Sequence, residues 1–220
     1  MLLVTRFTLI CLLLALPLAT VSAADTMPRV RLSTNLGDIV LELDPVKAPR
    51  SVENFLAYVQ EGAYDGTVFH RVIDGFMIQG GGYTRDFIKI PTRDPIPNEA
   101  NNGLKNLAGT VAMARTNQPH SATSQFFINV VDNDFLDFRS ETLRGWGYAV
   151  FGKVVEGMDV VEQIRRSATS KREVMPAPGE RPVIFSDVPR SPIVINKAVL
   201  DSVNLPGSSL PPLTPRVPVQ

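Results

Sequence analysis

The sequence has very few of the residues from which disulfides and metal centres are built. Its 220 residues include one cysteine, Cys11, and two histidines, His70 and His120. Cys11 lies inside an N-terminal leader, so the chain without that leader has no thiol for a disulfide or a thiolate-bound metal. Neither histidine has a cysteine or a carboxylate at the spacing of a zinc site. We therefore expect no metal ion and no cofactor.

Nucleophile motifs, phosphate-binding loops and excess charge are also missing. Ser121 and Ser124 do not sit in a G-x-S-x-G elbow, which argues against a serine hydrolase. The glycine run at 80–82 is not followed by Lys-Ser/Thr and a helix, so we expect close packing at a strand end rather than a P-loop. The 22 basic and 22 acidic residues cancel. Bulk electrostatics therefore gives no reason to expect nucleic-acid or anionic-membrane binding.

Residues 1–23 have the pattern of a secretory signal peptide. Arg6 provides a positive start, residues 7–21 are apolar, and Val-Ser-Ala ends the segment as a cleavage signature. Cleavage after Ala24 fits almost as well. An uncleaved membrane anchor is the alternative, but the apolar run is short for a span and contains Pro17. We expect the leader to be removed and no stable membrane insertion.

The rest of the chain suits one globular domain, which we place at residues 24–200. A hydrophobic content of 44% with 20% charged residues is enough to build a single core. Residues 201–220 contain five prolines and almost no charge. They predict a disordered or polyproline II tail, with docking of a partner as the alternative.

Short alternating segments and turn residues dominate the domain. Helical spacing follows Pro49, ends at Gly62, and recurs from Met158. Residues 83–108 and 167–190 show no regular pattern and are predicted to be loops. Strand patterns occur at 29–44 as a hairpin, 68–79 as two strands, 110–115, 125–131, 149–154 and 192–200. The set predicts an all-β barrel or sandwich capped by helices.

The stretch VFHRVIDGFMIQGGG at 68–82 combines an unusual set of side chains. Its alternation predicts two strands around an Asp-Gly turn, with Met77 and Gln79 on one face. Arg71 projects nearby from the preceding strand, whereas His70 alternates away from it and is interpreted as structural. The result is one guanidinium, an amide and bulky apolar surfaces without a nucleophile.

The strand at 125–131 also has two different faces. Phe126, Ile128 and Val130 suit a barrel interior, and Gln125, Phe127 and Asn129 suit an outward groove. Taken alone, Phe127 and Met77 would be interpreted as core residues. Their predicted proximity to Arg71 and Gln79 favours a groove instead.

Three blocks of sequence resemble the cyclophilin family of peptidyl-prolyl cis/trans isomerases. The stretch at 68–82 is similar, nearly letter for letter, to the family signature FHRVI-x-x-F-M-x-Q-G-G. The block MARTNQPHSATSQFFINV at 113–130 resembles the family's other active-site strand pair. The block GYAVFGKVVEGMDVVEQI at 147–164 resembles its last core strand and second helix. The resemblance covers residues 30–200.

This resemblance implies an eight-stranded antiparallel barrel with a helix at each end. It implies isomerisation of X–Pro bonds in proline-containing, unfolded or exported polypeptides, without a cofactor, by a monomer. Because the motifs look bacterial and a leader is present, we expect a Gram-negative periplasm, with secretion from the cell as the alternative. A binding module or holdase chaperone that uses the same groove with little turnover is the second function class.

The resemblance also assigns roles to individual residues. It makes Arg71 the catalytic residue. The proline pocket would be lined by Phe76, Met77, Phe127 and Leu136, and the substrate chain held by Gln79, Ala114 and Arg115 with support from Gln125.

Three positions depart from the pattern of many family members. Tyr148 stands in place of a pocket-lining histidine, Arg115 in place of an asparagine, and Phe135 in place of a rim tryptophan. These changes should affect ligand preference more than the reaction. We expect an active isomerase that binds the cyclic peptide cyclosporin weakly.

Overall fold

The computed structural model describes residues 27–174 and 181–201. The predicted leader and nearly all of the predicted tail lie outside these residues. In chain order the elements are β1 Arg29–Thr34, β2 Gly37–Leu43, α1 Pro49–Gln60, β3 Thr67–Val68, β4 Arg71–Ile73, β5 Met77–Gly80, β6 Thr110–Met113, β7 Phe126–Asn129, β8 Val150–Glu156, α2 Met158–Arg165, β9 Thr169–Val174, β10 Val183–Pro189 and β11 Val194–Leu200. Short 3₁₀ helices span Ala100–Asn102 and Asp134–Leu136.

Nine strands form one antiparallel sheet in the order β3-β11-β1-β2-β8-β6-β7-β5-β4. The two end strands, β3 and β4, are separated in sequence only by Phe69 and His70. One continuous run therefore supplies both edges, and the sheet curls around on itself. Counting that run as a single strand gives the eight strands of the prediction. The all-β fold with two helices is confirmed.

The curled sheet separates two apolar regions. Phe126 and Ile128 of β7 are fully buried in the main core together with Phe55 of α1. Phe127, on the opposite face of the same strand, belongs to a second cluster with Met77. The predicted alternation of β7 is therefore correct. The main core lies inside the barrel, and the second cluster lies on its outer face.

Helix α1 closes one end of the barrel. The ring of Phe55 lies 5.1 Å from Tyr64, 5.4 Å from Phe126 and 5.2 Å from Phe151, measured between centroids. The helix begins at Pro49, where a missing N–H costs nothing. It is followed by Gly62 in the left-handed region, at φ 66°, as the sequence predicts. Helix α2 likewise buries Val161 and Ile164, at the predicted helical spacing.

The segment 167–190, predicted to be a loop, contains two strands, β9 and β10. Strands β9 and β10 pair antiparallel as a separate two-stranded sheet. Its residues are mostly polar or exposed, so the strands lack a clear apolar alternation. Val174 and Val188 are buried against Phe87 of the 83–108 segment, with Phe185 packed beside them. The ribbon is stabilised by contacts remote in sequence, which a local pattern does not reveal.

No helix in the described part of the chain is long and apolar enough to cross a membrane.

His70 is buried behind the strand that carries Arg71. Its side chain is 4% exposed and its ring lies 4.9 Å from that of Tyr83 in an edge-on arrangement. Burial, assisted by the charge of Arg71, lowers the pKa of His70 from 6.5 to about 4. The neutral imidazole is therefore the form that fits the fold.

This burial predicts a loss of stability at acid pH. Below pH 6.5 the unfolded chain binds a proton at His70 that the native protein does not bind until pH falls to about 4. Between these limits the free energy of unfolding should fall by about 3 kcal/mol through this residue. Urea unfolding at a series of pH values gives the free energy of unfolding at each pH. Over that window this free energy should change less steeply with pH in His70→Gln than in wild type. The same pH dependence of the free energy of unfolding in both proteins would contradict the lowered pKa of His70.

Candidate active site

The site is built on a row of side chains that crosses four strands. Arg71 of β4 lies opposite Gln79 of β5, and Gln79 lies opposite Phe127 of β7. Phe127 in turn faces Ala112 of β6. Residues directly opposite in antiparallel strands project from the same face of the sheet. Strand pairing therefore places a guanidinium, an amide and an aromatic ring side by side on the outer face of the barrel.

An open pocket of about 140 Å³ lies on this row. Its lining is made by Arg71, Phe76, Met77, Gln79, Ala114, Arg115, Phe127, Leu136 and Tyr148. The structure thus brings together nine of the eleven residues predicted from the sequence. Met77, Phe127 and Leu136 are buried and form the apolar floor, whereas Phe76 and Tyr148 are half-buried at its sides. The pocket can hold a compact apolar group next to a guanidinium.

Gln125 lies behind the lining and supports it. Its side-chain oxygen accepts a hydrogen bond of 2.8 Å from the Nε2 of Gln79. Room for Gln125 depends on Gly82, because a Cβ at that position would lie 2.6 Å from the Gln125 side chain. Gly81 similarly lies against Tyr64, at φ 74°. The glycine run therefore serves close packing at the end of β5, as predicted.

Phe135 lies at the rim rather than in the pocket wall. Its side chain is 58% exposed, and its ring stacks on Phe76 with 5.6 Å between centroids. Trp146, the other aromatic that could have covered this rim, packs elsewhere. Its ring packs against those of His120 and Phe138, with 4.8 Å and 5.4 Å between ring centroids.

Arg115 is fixed in the wall by three contacts. Its Nε donates to the carbonyl of Gly147 at 2.8 Å, and its Nη1 donates to the carbonyl of Thr116 at 2.9 Å. The guanidinium carbon lies 4.5 Å from the centroid of the Tyr148 ring, a cation–π contact. Tyr148 in turn packs edge-on against Phe127. Two of the three positions that depart from the family pattern, 115 and 148, thus pack together beside the pocket.

A buried network of amides supports the rim and was missed by the sequence analysis. Asn133 donates to the carbonyl of Phe76 at 2.9 Å and to Asn129 at 2.8 Å. Asn129 donates to Asn106, whose own backbone and side-chain N–H groups donate to Asp137. All three asparagines are almost fully buried. Asn129 was predicted on the groove face, and its place in the apolar strand FFINV was the one available signal.

The charged groups in the pocket lining are both arginines, Arg71 and Arg115. Arg71 remains partly open to solvent, with its side chain 41% exposed. Among the described residues, no group of three or more His, Cys, Asp or Glu side chains is arranged to hold a metal ion. The chemistry that the site offers is hydrogen bonding and electrostatic stabilisation by a guanidinium beside an apolar pocket.

Comparisons with known proteins agree with this geometry. The family model for cyclophilin type peptidyl-prolyl cis-trans isomerase/CLD matches residues 29–198. The chain is 54% identical to peptidyl-prolyl cis-trans isomerase B of Escherichia coli over 171 residues, which cover 78% of this chain and 98% of that protein. It is 57% identical over 172 residues to the isomerase cyp18 of Streptomyces antibioticus, with the same coverage.

A solved structure has a similar fold. The crystal structure of a cyclophilin type isomerase from Cryptosporidium parvum, determined in the presence of the dipeptide Ala-Pro, matches with a TM-score of 0.61 and 28% identity. The match covers 79% of this chain and 99% of that one. The chain belongs to the cyclophilin family and is a peptidyl-prolyl cis/trans isomerase.

Proposed function

We propose that this isomerase acts on X–Pro bonds of exported polypeptides and that Arg71 is its catalytic residue, with no covalent step. The observation that carries the proposal is the position of the Arg71 guanidinium in the lining of an apolar pocket. Met77 and Phe127 provide buried apolar surface for a proline ring. Gln79, next to Arg71 in the same row, provides an amide for the flanking peptide backbone.

The reaction needs only stabilisation of a twisted amide. Resonance in the peptide bond sets a barrier of about 18–20 kcal/mol, and uncatalysed X–Pro exchange takes about tens to hundreds of seconds. When the bond twists, the proline nitrogen regains its lone pair and can accept a hydrogen bond. A guanidinium aimed at that nitrogen binds the transition state better than the planar ground state. Shortening exchange from about a minute to about a millisecond requires roughly 6–7 kcal/mol of such stabilisation.

The remaining pocket residues divide this task between them. A proline ring held against Phe127 and Met77 leaves the backbone on either side free to contact the edges of the pocket. Ala114 lies at one edge, where its backbone N–H already donates to Gln125 and its carbonyl remains for the substrate chain. Leu136 and Phe76 complete the apolar wall. Holding both sides of the bond makes rotation about it the motion that the enzyme can promote.

Removing the guanidinium should abolish most of the turnover. We expect Arg71→Ala to lower kcat/KM for a prolyl peptide by about a hundredfold or more, the usual effect of removing a donor that stabilises a transition state. Arg71→Lys should retain part of the activity, because it keeps the charge but loses the planar fork. A protease-coupled or NMR exchange assay measures both, and circular dichroism checks that the fold is retained.

Arg50→Ala is the matched control, because Arg50 is an exposed arginine on α1 that contacts Glu53 and lies outside the pocket. It should have wild-type turnover. Full activity in Arg71→Ala would overturn the mechanism. Retained peptide binding with no acceleration of exchange, in the wild-type protein, would instead favour the binding-module or holdase alternative.

Export is proposed from the leader, and the Gram-negative periplasm from the bacterial appearance of the core motifs. We expect the mature protein to begin at Ala24 or Asp25 and to occur in the periplasm of a Gram-negative host, where unfolded exported chains would be its substrates. N-terminal sequencing of the protein from periplasmic and membrane fractions tests this. Recovery of the chain with residues 1–23 attached, in the membrane fraction, would contradict it.

The rim predicts weak binding of cyclosporin. Phe135 provides an apolar surface stacked on Phe76 but has no N–H donor, unlike the tryptophan expected at this position in tight binders. Introducing the donor and extra contact area with Phe135→Trp should tighten inhibition about ten- to a hundredfold. Turnover should change less, since the proline ring needs only the apolar wall. Titration of cyclosporin against the isomerase activity measures the effect.

Trp146→Phe is the control for that titration, because Trp146 packs against His120 and Phe138. It should leave inhibition unchanged. Tight inhibition of the wild-type protein that disappears in Trp146→Phe would show that Trp146, and not position 135, forms the binding rim.

A further inference from the structure

The β9–β10 ribbon packs against the strand that carries Arg71. Strand β10 contacts β4, the last strand of the main sheet. Phe185 of β10 anchors the ribbon, with its ring centroid 5.1 Å from Tyr83 and 5.2 Å from Phe87. The guanidinium carbon of Arg172, on β9, lies 4.3 Å above the Phe87 ring. These contacts fix the ribbon relative to the barrel.

The ribbon is irregular at the point nearest to Arg71. Phe185 pairs with Arg172, but the next pair is Val188 with Ser170, so β10 carries one more residue than β9 in this interval. The extra residue makes a β-bulge, a device that bends a strand and redirects a side chain. Asp187 lies in the bulge with φ 59°, a left-handed conformation in which aspartate and asparagine are more common than most other residues.

The bulge brings a carboxylate to the guanidinium. Oδ2 of Asp187 lies 3.9 Å from Nε of Arg71, and both side chains are about 40% exposed. Among the described residues, no other carboxylate lies within ion-pair distance of Arg71. Phe185 and Val188, on either side of the bulge, are packed in the apolar cluster with Phe87. Asp187 is therefore held against Arg71 by packing rather than by its own ion pair.

The distance between Asp187 and Arg71 decides whether the guanidinium stays available to a substrate. A direct charge-assisted hydrogen bond would be about 2.7–2.9 Å long and would occupy the donor. At 3.9 Å the carboxylate attracts the Nε edge of Arg71 without binding it so closely. Among the described residues, no hydrogen bond or ion pair occupies the two terminal nitrogens of Arg71, so they remain available to a substrate in the pocket that Arg71 lines. A long, partly exposed arginine side chain otherwise has many rotamers to lose.

We propose that Asp187 is a positioning residue for Arg71, presented by the β9–β10 bulge to orient the guanidinium toward the pocket. This inference rests on the proposed function of Arg71. It gives the ribbon a role in catalysis, although none of the described residues of β9 and β10 lines the pocket.

The test is Asp187→Asn, which keeps the shape of the side chain and tolerates the left-handed backbone. We expect kcat for a prolyl peptide to fall about two- to fivefold with KM nearly unchanged, the range for a partly exposed ion pair. The difference from wild type should shrink as NaCl is raised to about 1 M, because salt screens the pair. A purely structural role for Asp187 would not produce this salt dependence.

A double-mutant cycle separates action through Arg71 from a general effect. In the Arg71→Ala background, Asp187→Asn should cause no further loss. Asp187→Gly should match Asp187→Asn in activity, although glycine also relieves the backbone strain. Asp74→Asn is the control, because Asp74 lies in the β4–β5 turn and pairs with Arg165 instead. It should have wild-type turnover.

The outcomes distinguish this inference from the function on which it rests. Wild-type or higher kcat in Asp187→Asn, or an equal loss in the Arg71→Ala background, would overturn the role of Asp187 while leaving that of Arg71 intact. Full turnover in Arg71→Ala would overturn the proposed mechanism itself. Thermal unfolding of each variant confirms that the compared proteins are folded.

Discussion

The antiparallel register between β4, β5 and β7 is the constraint on which the site depends. It places Arg71, Gln79 and Phe127 in one row on the outer face of the barrel. A slip of one residue in any of the three strands would send its side chain in this row into the barrel interior. The register is well specified because the opposite faces of the same strands carry Val72, Ile78 and Phe126, which belong to the main core.

The run from β3 to β4 connects the stability of the barrel with the geometry of the site. Val68 pairs with β11 at one edge of the sheet, and Arg71 pairs with β5 at the other. Phe69 and His70, between them, are buried. Arg71 therefore lies where the sheet closes. Its backbone is fixed by the buried residues that precede it and by pairing with β5. A hydrogen-bond donor stabilises a transition state only if its position is fixed, and a rigid backbone at Arg71 helps to fix it.

Several features of the site depend on groups that are distant in sequence. The rim containing Phe135 is attached to Phe76 through Asn133, whose amide donates to the Phe76 carbonyl. Buried amides of this kind are costly when unpaired and specific when fully paired, so they fix one arrangement of the rim. The ribbon that presents Asp187 is likewise attached through Phe185 and the aromatic residues of the 83–108 segment. None of these partners is a neighbour along the chain.

The sequence by itself determined the helices and the main strands, because alternation and capping residues are local signals. The resemblance of its blocks to the cyclophilin family predicted nine residues that line the pocket. Only the tertiary structure decided the rest. It shows two paired strands, β9 and β10, in a segment predicted to be a loop, and it buries Asn129 in an amide network. The physical reason is that short polar strands and buried amides are stabilised by partners remote along the chain. The local sequence pattern does not identify those partners.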